Sequence, residues 1–314
     1  MDTSSELFLG VDGGQSSTKA LIGDAQGRVV GRGTAGPCNH VSADEARAKF
    51  LRVIRQCVSA ACAEAGIGAD ARFRAACFGM SGGPEDKAAL LKEVVNAEQW
   101  LVTHDGMIAH AGALAGEDGI VVIAGTGSMA FGRRGERTMR AGGWGYIYGD
   151  EGGAFWIAKQ AVRAALRQEE GWGNTVLYSM LLEATGTASA NEALHILYTP
   201  EWPRSRVARF AVEVSRAAQS GDEIAGVILG WAGYQLATLV AHVREALWGP
   251  GKDDSVPASY IGGVFRSAPV LARYTETLRE GWNVHVRPPV FGADAGALIE
   301  AYRLAGIRVT LREG

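Results

Sequence analysis

Short apolar, β-favouring runs alternate along the chain with longer stretches of helical period, and most of the apolar runs end in glycine-rich turns. The first run, LFLGVDG at 7–13, leads into QSSTK. Two further strand-like runs within 20–33 are separated by a turn composition at 24–27, so three antiparallel strands open the protein. Pro37 and Cys38 begin a loop, and Ser42 is placed to cap a helix over 43–65, in which Phe50, Val53, Ile54, Cys57 and Ala61 share one face. A strand over 75–80, a helix over 85–97, a strand over 100–103 and a small-residue helix over 107–115 follow. At 117–119 the opening pattern starts again with an apolar strand at 120–124, the turn GTGS at 125–128, a return strand at 129–133 and a second turn. The duplication predicts two related lobes with a cleft between them.

After 128 the pattern turns mostly helical. The segment GGWGYIYGDEGG at 142–153 leads into a helix over 154–168, and helices are expected over 176–185, 191–198, 204–220 and 224–248. A strand at 258–262, a helix at 268–280, a strand at 282–286 and a returning helix at 293–304 complete a layered α/β arrangement. The lobes are expected at 1–116 plus 293–314, and at 117–292.

Composition narrows the class of partner. With 314 residues, 47% hydrophobic and 21% charged, the chain is long enough for two domains and reads as an ordinary soluble protein. A formal net charge of −3 with no basic run argues against a nucleic-acid surface. The 43 glycines cluster at strand ends, which fits turns that approach ligands. The N-terminus lacks a positively charged leader region. The apolar stretch 224–247 is broken by Gly226, Gly230, Gly233, His242, Arg244 and Glu245, so it is expected to be a buried helix rather than a membrane span, in a cytoplasmic protein. Cys38, Cys57, Cys62 and Cys77 show no metal spacing.

Asp12, at the end of the first strand, is followed by Gly13 and Gly14, whose backbone freedom permits a tight turn with N–H groups facing an anion. Taken alone, this stretch reads as a plain hairpin. The ordered set is more specific: GVDGGQSSTK, a strand ending at Asp105, IAGTGS, GGWGYIYGDEG and a late strand ending IGGVF. With these motifs the chain resembles the sugar kinase, actin and heat-shock ATPase superfamily from Leu7 to about Tyr302. Within it, the chain is similar to the N-acetylglucosamine kinases and their relatives, the ATPases that activate benzoyl-CoA-type reductases.

The resemblance implies two ribonuclease H-like lobes, ATP and Mg²⁺ as cofactors, and a set of site residues. Asp12 would lie near the metal, with Gly13, Gly14, Gln15, Ser16, Thr18 and Lys19 around the phosphates. Gly125, Thr126, Gly127 and Ser128 would form the second phosphate motif, and Gly262, Gly263 and Phe265 the adenosine motif. Asn39, Ser81, Gly82, Thr126, Gly143, Trp144 and Asp150 would face the sugar. The spacing of Trp144, Tyr146 and Tyr148 also describes a half-buried strand, and packing is their default expectation. Asp105 falls at the position of the catalytic base. Phosphoryl transfer needs a carboxylate within hydrogen-bond reach of the acceptor hydroxyl, and an aspartate at a strand tip can supply it, although it could equally cap the helix that follows.

The chain departs from the amino-sugar kinases in reading HDG around Asp105. It lacks the cysteine-rich zinc motif of the repressor/kinase branch and a glycine-flanked cysteine loop for an iron–sulfur cluster. The resulting expectation is an ATP-dependent kinase acting on N-acetylglucosamine at its 6-hydroxyl, with a small-molecule sugar as its partner and neither nucleic acid nor membrane. Glucosamine or another hexose as acceptor, an activator ATPase driving a partner protein, and a non-catalytic sugar sensor are the alternatives. The helical region 204–248 fits either a lobe core or the face of a homodimer.

Overall fold

The computed structural model describes residues 6–14, 17–38, 44–80, 87–251 and 254–313. In chain order its elements are β1 (Leu7–Gly13), β2 (Thr18–Asp24), β3 (Arg28–Ala35), α1 (Asp44–Glu64), β4 (Arg72–Met80), α2 (Ala88–Leu91), β5 (Asn96–His104), α3 (Asp105–Ala113), β6 (Gly119–Ala124), β7 (Ser128–Arg134) and β8 (Arg137–Gly142). There follow α4 (Ala154–Glu169), α5 (Leu177–Thr185), α6 (Ala190–Leu197), α7 (Arg204–Ala208), α8 (Ala211–Gln219), α9 (Glu223–Trp248), β9 (Val256–Ile261), α10 (Ala268–Trp282), β10 (Val284–Val286), α11 (Ala293–Leu304) and β11 (Arg312–Glu313).

The elements pack into two units, 1–117 with 288–314, and 118–287. The first holds a six-stranded sheet in the order β11-β3-β2-β1-β4-β5, and the second a five-stranded sheet in the order β10-β9-β6-β7-β8. Read outward from β1 and from β6, the two sheets are the same: two antiparallel strands on one side, two parallel strands on the other. The duplication expected from the two glycine-rich turns is therefore a duplication of topology.

In the first unit β1 is buried on both faces, being a central strand covered by helices on either side of the sheet. Leu9 and Val11 pack with the α1 face of Phe50, Ile54 and Cys57, while Phe8 packs with Ala297, Leu298 and Tyr302 of α11. The second core joins Ile120 and Val122 of β6 to Leu236, Val240 and Val243 of α9. Helix α9 is long and apolar enough to cross a membrane, but half of its most apolar window is buried inside the unit, together with Arg244.

Three expectations are corrected. Only Ala88–Leu91 of the helix expected over 85–97 is helical among the described residues, because Asn96 already pairs with Arg72 and β5 absorbs the end of that stretch. The single helix over 204–220 is two, α7 and α8. The 144–148 segment is neither a strand nor a packed wall: Trp144, Tyr146 and Tyr148 are 71%, 43% and 85% exposed, because left-handed Gly142, Gly143 and Gly145 turn the chain away from the sheet.

Candidate active site

In the first unit, β1 carries Asp12 to its tip, paired in register with Lys19 of β2 and with Gly79 of β4. Gly13 fits there because a Cβ would meet the Met80 sulfur, and the Gly14 N–H donates to the Ser17 carbonyl to close the turn. Burial is the main force that pushes the Asp12 carboxyl up to about 6; the charges of Asp294 and Asp105 add to it, and Lys19 opposes it. The three aspartates thus share one electrostatic environment.

Asp294 was not foreseen. It lies in the first turn of α11, where its Oδ1 accepts the Ala295 N–H at 3.0 Å. Glycine brings that helix close: side chains at Gly10 or Gly296 would overlap the Leu298 N–H or the Ile108 carbonyl. The sequence signal was the small-residue run GADAGA, which reads as an ordinary helix start.

Asp105 is the first residue of α3 and is exposed. The helix cap is His104, whose Nδ1 accepts the Met107 N–H at 3.3 Å, while Asp105 Oδ1 accepts the adjacent Gly106 N–H at 2.9 Å. The cap, the alternative reading of Asp105, is thus made by its neighbour, a histidine to which the sequence assigned no role. Thr18 is corrected as a phosphate ligand. It is fully buried and its hydroxyl donates to the Gly36 carbonyl at 2.9 Å, so it braces β2 against the chain after β3. Lys19, on the opposite face, is exposed. Gln15, Ser16, Asn39, Ser81 and Gly82 lie outside the described residues, as does the Ser42 cap.

In the second unit, the β6–β7 turn is held from behind by the N-terminus of α4. Ala154 N–H donates to the Gly125 carbonyl at 2.8 Å and Phe155 N–H to the Thr126 carbonyl at 3.1 Å. Gly143 N–H donates to the Ser128 carbonyl, and the Ser128 hydroxyl to the Glu151 carbonyl at 2.6 Å. The Ser128 side chain is therefore a strut between this turn and the 142–153 segment. Asp150 is 5% exposed, with φ +61°, and is not a cap: Gly153 holds that place at the start of α4. Its Oδ2 accepts from Arg204 Nη2 at 2.6 Å.

Gly125 and Gly263 open onto one cavity of about 410 Å³, lined also by Ala154, Val212, Ser215, Arg216, Gln219, Arg266 and Ser267. Gly262 has φ +113° because any Cβ would overlap the Ala124 carbonyl, which lets the β9 end close on β6. Among the described residues the buried Ser267 hydroxyl has no hydrogen-bond partner, and Ser267 lines this cavity. Phe265 is buried, its ring centre 5.0 Å from that of Tyr260 and 5.3 Å from that of Tyr274. The α8 residues escaped the sequence reading because they belong to a helix whose apolar face looked like any other.

The donor set fits a hard cation that keeps its water. Among the described residues no three acidic, histidine or cysteine side chains form a cage, and Mg²⁺ is commonly held by one or two carboxylates together with water and phosphate. The thiols are poor ligands here: all four are buried, and burial pushes Cys38 up to about 11 and Cys57 up to about 12.

A duplicated β3-β2-β1-β4-β5 sheet bearing a glycine-rich turn in each copy defines an actin-like α/β fold. The chain belongs to the BadF/BadG/BcrA/BcrD ATPase family, whose model matches residues 9–301. It is 30% identical over 270 residues to an N-acetylmuramic acid/N-acetylglucosamine kinase of Clostridium acetobutylicum, covering 83% of this chain and 86% of that protein. It is 29% identical to an N-acetyl-D-glucosamine kinase of Dictyostelium discoideum, over 86% of this chain and 88% of that one. In fold it matches a Streptomyces griseus ROK family glucokinase solved with glucose and AMPPNP, with a TM-score of 0.56 and 17% identity, covering 95% of this chain and 99% of that chain.

Proposed function

We propose that this protein is an ATP-dependent amino-sugar kinase that converts N-acetylglucosamine to N-acetylglucosamine 6-phosphate. The amino-sugar acceptor is supported by relatives of that activity aligned over more than four-fifths of the chain. The observation that carries catalysis is the exposed Asp105 at the end of β5, with the helix-capping duty taken by His104.

Asp105 accepts the proton of the sugar 6-hydroxyl as that oxygen bonds to the γ-phosphorus and the bond to the bridging oxygen breaks, releasing ADP. Mg²⁺, when bound, neutralises charge on the transferring phosphoryl group, and Asp12 is the residue that holds it. The 125–128 turn cradles the phosphates, the cavity behind Gly125 and Gly263 takes the nucleoside, and Asp150 hydrogen-bonds sugar hydroxyls.

The test is ADP release with Mg²⁺–ATP across glucosamine, N-acetylglucosamine, N-acetylmannosamine, N-acetylmuramic acid and glucose. Turnover that depends on an N-acetylated amino sugar supports the reading. Equal ATP hydrolysis without sugar would show an activator-type ATPase, and no turnover with any sugar sinks the kinase.

A further inference from the structure

The ion pair between Asp150 and Arg204 is set deep against the second glycine-rich turn. Arg204, the first residue of α7, sends Nη2 to Asp150 Oδ2 at 2.6 Å, the aspartate being nearly enclosed and the arginine about one-third exposed. The Ser128 N–H points at the other oxygen, Oδ1, at 3.4 Å. The guanidinium carbon lies 5.1 Å from the Tyr146 ring centre and 6.0 Å from that of Phe155, and those two rings meet edge to face at 5.1 Å. A side chain at Gly127 would run into both partners of the pair, which explains the glycine at the centre of the turn.

This is an unusual setting for a surface-loop aspartate. Left-handed backbone at a non-glycine residue is strained and persists only where surrounding contacts impose it. Here those contacts are the guanidinium and the turn. A carboxylate taken from water needs a partner, and a planar guanidinium stacked on aromatic rings can hold it at one fixed angle, which an ammonium cannot.

We infer that Arg204 is the positioning residue that aims the Asp150 carboxylate at the acceptor sugar and ties it to the phosphate turn through Gly127. The inference rests on the amino-sugar kinase reading. On this assignment Arg204 acts through Asp150: it sets the orientation of a group that binds the sugar, so its loss acts on sugar affinity and leaves ATP affinity in place.

The experiment measures steady-state kinetics of the full chain with N-acetylglucosamine and ATP varied separately. Arg204→Ala is expected to raise the sugar KM about tenfold or more, the scale of a lost charged hydrogen bond, with the ATP KM within twofold of the parent. Millimolar guanidinium recovers part of the loss, and Arg204→Lys falls between the two. Asp150→Asn raises the sugar KM comparably, and the double variant Asp150→Asn/Arg204→Ala adds little, because one unit has been removed twice. Arg206→Ala, whose guanidinium sits on Trp202 instead, leaves both constants unchanged.

A sugar KM within threefold of the parent in Arg204→Ala, with only a lowered Tm, overturns the proposal, as does an ATP KM that rises as much as the sugar KM. If Arg204→Ala does not fold, Arg204→Lys decides: an unaltered sugar KM overturns it. A parent protein that phosphorylates no amino sugar overturns the kinase reading and this inference together, whereas an active parent with an indifferent Arg204 overturns the inference alone.

Discussion

The β1–β2 and β6–β7 turns occupy the same place in two copies of one topology, yet they are built for different work. Gly13 and Ala124 are the last paired residues of their central strands, opposite Thr18 and Ser128. One residue earlier the first copy has Asp12 facing Lys19, and the second has Ile123 facing Met129. The first turn therefore supplies charge, and burial raises the cost of that charge. The second has no acid in its strand; its carbonyls are satisfied by the N-terminus of α4 and its glycine leaves room for a buried ion pair. Duplicated topology supplied two equivalent strand ends, and the side chains behind each decided whether it became an electrostatic or a backbone site.

The largest expected effect lies outside both turns. Asp105→Asn is expected to lower kcat by about three orders of magnitude while sugar affinity stays near that of the parent, as for loss of a general base. A kcat within tenfold of the parent removes Asp105 from the mechanism. Next comes the contrast between the turns. Gly127→Ala forces a Cβ into Asp150 and Arg204 and is expected to cost about 2–3 kcal/mol of stability, read by denaturant unfolding. Among the described residues, a Cβ from Gly14→Ala meets the Ser17 carbonyl, and the substitution is expected to cost about 1 kcal/mol. Equal costs would erase the distinction drawn between an electrostatic and a backbone site.

Asp12 tests the electrostatic half of the comparison. Its carboxyl holds a proton more tightly in the folded protein, at about 6, than in the unfolded chain, at 3.8. Ionisation therefore costs the metal-free protein stability as pH rises through 4 to 6, and the cost is complete above that window. Asp12→Asn is expected to stabilise the metal-free protein by about 2 kcal/mol at pH 8, with the gain gone below pH 4. The same substitution should abolish the Mg²⁺-dependent part of the stabilisation by ATP. A gain that does not vary with pH contradicts the origin assigned to the shift. The smallest effect is expected from Thr18→Val, about 1 kcal/mol of stability for the lost Gly36 hydrogen bond and an ATP KM within threefold of the parent. A tenfold rise in that KM would restore Thr18 to the phosphate site.

Much of the molecule was legible in the amino-acid order, because local chemistry repeats with local structure. Alternating apolar runs and glycine turns specified the central strands of both sheets but neither β8 nor β11, and the helical period of Phe50, Ile54 and Cys57 specified the buried face of α1. Asp12, near the end of β1, and Asp105, directly after β5, were recognisable because the ordered set of motifs around them resembles a known family, not from their own neighbours alone. What tertiary structure alone decided are the facts that depend on a partner distant in sequence. Arg204 lies 54 residues from Asp150, and nothing in the spacing of a helix start announces the carboxylate that it meets. Asp294 reaches the environment of Asp12 only because glycines at 10 and 296 let α11 settle against β1 and α3. Thr18 reads as a hydroxyl in a phosphate motif until pairing turns it inward and its hydroxyl donates to the Gly36 carbonyl. Periodicity records which way a side chain faces along its own element; whether it then meets solvent, a carbonyl or an opposite charge is set by how the elements close on one another.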